Sequence, residues 1–235
     1  ETLTGQSTYT GGTVVQAGTL ALGGTGTLAA SGPLTLNNAG STFDISGANG
    51  PQTVGALSAD ANTQIRLGSN TLTFGDATSH TVAAIIGGSA GIVKQGSGTT
   101  TLLGTQQYTG STTIADGTLA IGSTGNLGTG AVVALTGNRA VFDVSAAGNQ
   151  TLGHLSGSGG SVVLGGGSTL RVGNNDTATL ASAISGTGAL IMDGAGQLTL
   201  GGVNTFTGNV GVNSGALVLG AGGTLSNAND VTLAS

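Results

Sequence analysis

Three groups of residues in this 235-residue chain are of types that could do chemistry. Gly87-Gly88-Ser89-Ala90-Gly91 has the Gly-x-Ser-x-Gly spelling of a nucleophile elbow, where a serine sits on a strained turn between a strand and a helix. No helical periodicity follows it. The corresponding stretch further on, Ser185-Gly186-Thr187-Gly188-Ala189, keeps the turn character and loses the spelling. The two histidines, His80 and His154, have no second His or Cys at metal-ligand spacing, and both read as surface imidazoles. Asp44 and Asp143 recur within Phe-Asp-Ile/Val-Ser, and two carboxylates on one face could act as acid and base on a polysaccharide.

The spacing argues against that last reading. If one turn of chain takes ~20 residues, the two aspartates lie about five turns and ~24 Å apart, where glycosidic chemistry needs ~5 to 9.5 Å. Both read as outward residues between an inward Phe and an inward Ile or Val. Asp60, Asp76, Asp116, Asp176, Asp193 and Asp230 fall at turns, where Asp caps the backbone. Asn174-Asn175-Asp176 clusters oxygens but matches neither an EF-hand loop nor a calcium-binding nonapeptide. No P-loop or Gly-x-Gly-x-x-Gly fingerprint is present. The expectation is that no residue is catalytic, cofactor-binding or metal-ligating.

The elements that hold these residues are strands. Tyr9-Thr10-Gly11-Gly12-Thr13-Val14-Val15-Gln16-Ala17-Gly18-Thr19-Leu20-Ala21-Leu22-Gly23 recurs from Tyr108 to Gly122 and from Phe206 to Gly220, 99 and then 98 residues on. Apolar residues two apart (Leu20 with Leu22, Leu119 with Ile121, Leu217 with Leu219) have the period of a strand showing one face to a core. Gly18, Gly117 and Gly215 stand between two such strands, where the chain bends. Phe43-Asp44-Ile45-Ser46 returns as Phe142-Asp143-Val144-Ser145, and Gly91-Ile92-Val93-Lys94 as Ala189-Leu190-Ile191-Met192. Long repeats therefore cover about 3–101, 102–199 and, in part, 200–235, within a single structural unit. The third copy stops in mid-pattern at Ala234-Ser235, so a fragment of a larger chain is expected.

Each long repeat divides into strands about 20 residues apart, at Thr19 to Leu22, Thr42 to Ile45, Gln64 to Leu67, Val82 to Ile85 and Thr99 to Leu102. Such a unit cannot bury its apolar side alone and must stack on copies of itself. The expected fold is all-β, a right-handed parallel β-helix of about 12 coils and no helices of note. Charged residues are 6% of the chain against a usual ~25%. In a stacked rod an outward charge repeated in every coil would repel its neighbours, so Thr, Ser and Asn replace it.

Composition excludes other classes. Glycine makes up 48 of 235 residues without a three-residue period, which excludes collagen, and 37% hydrophobic residues argue against a disordered linker. No apolar run is long enough to span a bilayer. With Lys94, Arg66, Arg139 and Arg171 the only cations and a net charge of -5, nucleic acid is not an expected partner. The absence of cysteine removes disulfides and thiolate metal sites.

The order Leu-x-Gly, Tyr/Phe-Thr-Gly, Val/Ile and Gly-x-Leu-x-Leu/Ile-Gly resembles the β-strand repeat of bacterial autotransporter passenger domains. It spans Leu3-Thr4-Gly5 to Gly23, Leu102-Leu103-Gly104 to Gly122, and Leu200-Gly201-Gly202 to Gly220. The resemblance implies an extracellular segment, exported through the outer membrane of a Gram-negative bacterium by a barrel elsewhere in the full chain. A non-catalytic stalk that supports export is the expected role. An adhesive surface that binds a host cell, matrix or another copy is the alternative, and a polysaccharide-active β-helix enzyme a remote one. A threonine-ladder ice-binding surface would need Thr-x-Thr in consecutive coils, which Thr71 with Thr73 and Thr99 with Thr101 do not supply.

Overall fold

Strands of two to eight residues form wherever apolar and small polar residues alternate, and glycine-rich corners separate them. The computed structural model describes residues 1–128, 130–225 and 230–234; Ser235, where the third long repeat breaks off, lies outside them. All pairings between the strands are parallel, and the chain winds as an all-β solenoid of about 11 turns with no helix among the described residues. At ~4.8 Å per turn the rod is roughly 50 Å long.

Each turn has three faces, visited in a fixed order. The first carries Thr19–Gly24, Thr42–Ala48, Gln64–Gly68 and Ile85–Gly88, each paired to the next. The second carries Leu72–Phe74, Ile92–Lys94, Ser111–Ile114 and Ala131–Leu135. The third runs from Thr13–Val15 through Leu34–Leu36, Leu57–Ala59, His80–Val82, Thr99–Leu102, Thr118–Ile121, Val141–Val144 and Ser161–Leu164 to Ala183–Gly186. Strand Gln150–Gly157 turns a corner and belongs to two faces. Gly153 stands at that bend, where a Cβ would lie 2.6 Å from the Gly130 carbonyl oxygen.

The alternation read from sequence places the core correctly in the central turns; in the third copy Leu217 is only half-buried and Leu219 is 47% exposed, because Ala216–Leu219 is paired on one side only. Leu119, Ile121, Thr112 and Ile114 are buried, while Ala120 and Thr113 between them are only partly covered. Gly18, Gly117 and Gly215 all have φ between +62° and +71°, the left-handed region a Cβ would oppose. One strand is corrected. Val82 to Ile85 is not a strand but the corner between His80–Val82 and Ile85–Gly88, with Ala84 buried in the bend. A turn has room for three short strands of the lengths seen, so the ~20-residue spacing counts turns and not strands.

The long repeat is also not the whole number of turns its length suggests. On the third face Thr100 stacks on Leu119, then Phe142, Val162 and Ile184, which is four turns. Its counterpart in the next copy, Leu198, lies two faces further along, so the repeat advances four and two-thirds turns, about 22 Å rather than five turns. Equivalent sequences thus occupy different faces. Thr13–Val15 is on the third face, Ser111–Ile114 on the second and Val210–Val212 on the first.

The same bonds are nevertheless rebuilt on each face. Buried Gln106 accepts the Ile86 N–H at 3.0 Å and donates to the Gly104 carbonyl at 2.8 Å. One long repeat on, buried Asn204 accepts from Ile184 at 2.9 Å and donates to Gly202 at 2.9 Å. Tyr9 and Tyr108 each share a hydrogen bond with the hydroxyl four residues on, Thr13 at 2.5 Å and Thr112 at 2.6 Å. In the third copy both hydroxyls vanish together as Phe206 and Val210, both buried. Losing the pair leaves no buried polar group stranded, whereas losing one partner would.

Candidate functional site

The residues singled out for chemistry are dispersed by the fold. Ser89 follows Ile85–Gly88 at a bend, and its N–H and Oγ both donate to the Gly68 carbonyl oxygen at 2.8 and 3.0 Å. A strand, Ile92–Lys94, follows rather than a helix. Gly91 is needed for close stacking, because a Cβ there would lie 1.9 Å from the Ser111 carbonyl oxygen. Asp44 is on the first face and Asp143 on the third. Asp44 Oδ1 accepts the Ser46 N–H at 2.9 Å and Oγ at 2.6 Å, and Asp143 Oδ1 accepts the Ser145 N–H at 2.8 Å. Asp143 closes the turn that follows Val141–Val144, Asp44 bonds within its own strand Thr42–Ala48, and the two stand on different faces, far from any acid–base partnership.

The Asn174-Asn175-Asp176 oxygens do not converge either. Asn174 is buried and its amide accepts from and donates to the Leu155 backbone, at 2.9 and 3.3 Å. Asn175 accepts the Ala195 N–H at 3.3 Å, and Asp176 Oδ1 lies 3.1 Å from His154 Nδ1.

The histidines are more engaged than surface imidazoles. His154 is braced by Asp176 one turn on, with side-chain exposure of 24%. His80 has its Nδ1 3.2 Å from Ser58 Oγ, and its Nε2 3.2 Å from Asp76 Oδ1 and 2.7 Å from Thr78 Oγ1. This contact order is that of a serine–histidine–carboxylate chain, beside a groove of about 380 Å³ lined by Thr35, Ser58, His80 and Thr81. Hydrolysis also needs donors aimed at a developing oxyanion. Ser58 is the middle residue of the flat strand Leu57–Ala59, paired on both sides, and not the strained head of a helix. The cluster braces one turn against the next, since Ser58 and His80 belong to neighbouring turns. Burial acts to raise the Asp76 pKa, but bonds from Thr78 N–H and Oγ1 and from His80 together hold it below its ordinary 3.8.

Charges also staple the turns together. Arg139 clasps Asp116 with bonds of 2.9 and 3.1 Å, and Arg171 reaches Asp193 at 3.0 Å, each across about one turn. Opposite signs on neighbouring turns avoid the repulsion that identical stacked charges would create. At these exposures each pair is worth at most about 1 kcal/mol.

The residue that composition alone did not single out is Lys94. It points into the core, is fully buried, and donates from Nζ to the carbonyls of Gln95 and Gly96 at 2.8 Å and of Asp116 at 3.2 Å. Its signal was present in the alternation, since Lys94 falls two residues after inward Ile92 and aligns with inward Met192. Desolvation lowers its pKa, with Asp116 and Asp76 opposing the shift. The folded chain therefore releases this proton below the ordinary 10.5 at which the unfolded chain does. Between those two values the unfolded state binds more protons, so stability should rise with pH. Tyr108, whose burial raises its pKa from 10.0, acts oppositely only above that pH. Denaturation midpoints taken up to pH 10 should thus climb in the native chain and stay level in Lys94→Met; the same slope in both would contradict this assignment.

The geometry is that of a rod of quasi-equivalent turns, and comparison with known proteins agrees. The passenger-associated-transport-repeat family matches residues 2–22, 92–121 and 190–219. Each of the two longer matches spans five strands, from Ile92–Lys94 to Thr118–Ile121 and from Ala189–Met192 to Ala216–Leu219. Searches of curated proteins and of solved structures return no match. Three stretches of this parallel β-solenoid thus match the passenger-associated-transport-repeat, consistent with the repeat-bearing passenger of an autotransporter.

Proposed function

We propose that this chain is a structural stalk, a segment of an autotransporter passenger that is displayed outside the cell and supports export, rather than an enzyme or an adhesive head. The observation that carries this reading is the advance of four and two-thirds turns per long repeat. An adhesive rod gains from stacking the same side chains on one face, whereas here each copy presents its features on a different face. The outward column of the second face runs through Thr73, Val93, Thr113 and Ala134 to Ser156 without a charge or an aromatic ring. Among the described residues the large exposed apolar side chains lie at the two ends of the rod, Tyr9 and Val14 in the first turns and Val203, Val218, Leu219, Val231 and Leu233 in the last, with a single aromatic ring among them rather than the aromatic and arginine clusters that anchor interfaces.

The test is binding by the isolated 235 residues to host cells, matrix components and one another. A stalk should give no saturable binding to any of them and remain monomeric at micromolar concentration. Saturable binding to a host ligand, or concentration-dependent self-association, would transfer the role to the adhesive alternative.

A further inference from the structure

Asn49-Gly50 is the one Asn-Gly pair in the sequence. It forms the corner that leads from Thr42–Ala48 on the first face to Gln52–Thr53 on the second. The chain around it is held in place. The Asn49 N–H donates to the Gly24 carbonyl of the previous turn at 2.7 Å, Asn70 of the next turn donates to the Ala48 carbonyl at 2.8 Å, and Gln52 Nε2 donates to the Gly50 carbonyl at 3.1 Å. The groups left over are ones that react with each other. Among the described residues the exposed Asn49 carboxamide has no hydrogen-bond partner, and neither has the Gly50 N–H. A Cβ at Gly50 would meet no atom within 4 Å, so the space beside this corner is open. Asn149 in the second copy differs on both counts, since Gln150 follows it and its Oδ1 accepts the Thr169 N–H at 2.9 Å.

We propose that Asn49-Gly50 is a self-modifying site, at which the folded rod converts an asparagine into aspartate and isoaspartate without an enzyme. The Gly50 nitrogen attacks Asn49 Cγ and forms an N–Cγ bond; the Cγ–Nδ2 bond breaks, and the carboxamide nitrogen leaves as ammonia with the proton that Gly50 gives up. Water then adds to either carbonyl of the cyclic imide. Cleavage of the ring bond to Cγ restores the ordinary backbone with an aspartate side chain, whereas cleavage at the main-chain carbonyl leaves the backbone running through Cγ as isoaspartate. An intramolecular attack of this kind gains from a nitrogen and a carbon that can approach to ~3 to 3.5 Å. Glycine on the nitrogen side leaves that approach uncrowded. Isoaspartate places an extra methylene between the Asn49 N–H that is bonded to Gly24 and the Gly50 carbonyl that is bonded to Gln52.

The test uses the whole folded chain, kept warm in mildly alkaline buffer and sampled over weeks by peptide mass spectrometry, with isoaspartate detected by enzymatic methylation. Asn49 should gain the mass of an amide-to-acid exchange and accept methyl groups well ahead of Asn149. Gly50→Ala should slow the conversion about tenfold, because the added Cβ crowds the attacking nitrogen. The fold should tolerate that change, since Gly50 has no positive φ and open space where the Cβ would go. Asn49→Gln should abolish the reaction, because its longer side chain would have to close a larger ring. Persistence of Asn49 in the folded chain would overturn the proposal, most plainly if the urea-unfolded chain converts it, for the fold would then protect this corner. Conversion of Asn149 as fast as Asn49 would overturn it too, because the geometry of the corner would then select nothing.

Discussion

Leu119→Lys should cost on the order of 3 to 5 kcal/mol, enough to leave the central turns unfolded in water, while Thr113→Lys should change stability by less than about 0.5 kcal/mol. Leu119 is fully buried between Thr100 and Phe142 in a core one turn thick. A lysine there would meet apolar side chains above, below and across, without the converging carbonyls that accommodate Lys94. Thr113 projects outward from Ser111–Ile114 between Val93 and Ala134, neither of them charged, so an ammonium at that position stays in water. Urea denaturation of both variants checks the register directly. Similar losses from the two would mean that inside and outside are wrongly assigned along this strand.

Removing residues 101–198 should leave a cooperatively folding rod that is shorter by about 22 Å. The cut joins Thr100 to Thr199 at equivalent points of two long repeats, so the new chain reads as one uninterrupted copy. Because the excised block is four and two-thirds turns, everything after the joint must move by one face. Such a shift is tolerable only if the faces are interchangeable, and the chain already uses them so. Gln106 on Ile86 and Asn204 on Ile184 make the same bonds on different faces. Lys94 also keeps its third partner, since Ser214 brings a backbone carbonyl to the place of Asp116. Small-angle scattering should show the shortened rod and thermal unfolding a single transition. Loss of cooperativity, or a compact particle, would show that each face has its own identity. In the full-length protein the same deletion should preserve surface display if the segment is a stalk.

The linear pattern determined strand positions, corners and core for a local reason. Side chains alternate across any strand, and glycine marks bends wherever it falls, so Leu119, Ile121 and Gly117 could be placed from their neighbours alone. Self-similarity also required stacking, because no single turn can bury its apolar side. The number of strands per turn was decided by tertiary structure, since it depends on how sharply each corner closes. That closure turned a ~20-residue period into three faces and made Val82 to Ile85 a corner. It also decided which distant residues meet. Asp116 with Arg139, His80 with Ser58, and Lys94 with the Asp116 carbonyl each lie 22 or 23 residues apart, one turn of the rod. The local pattern specifies which way a side chain points, but its partner in the next turn depends on the exact number of residues the intervening corners consume.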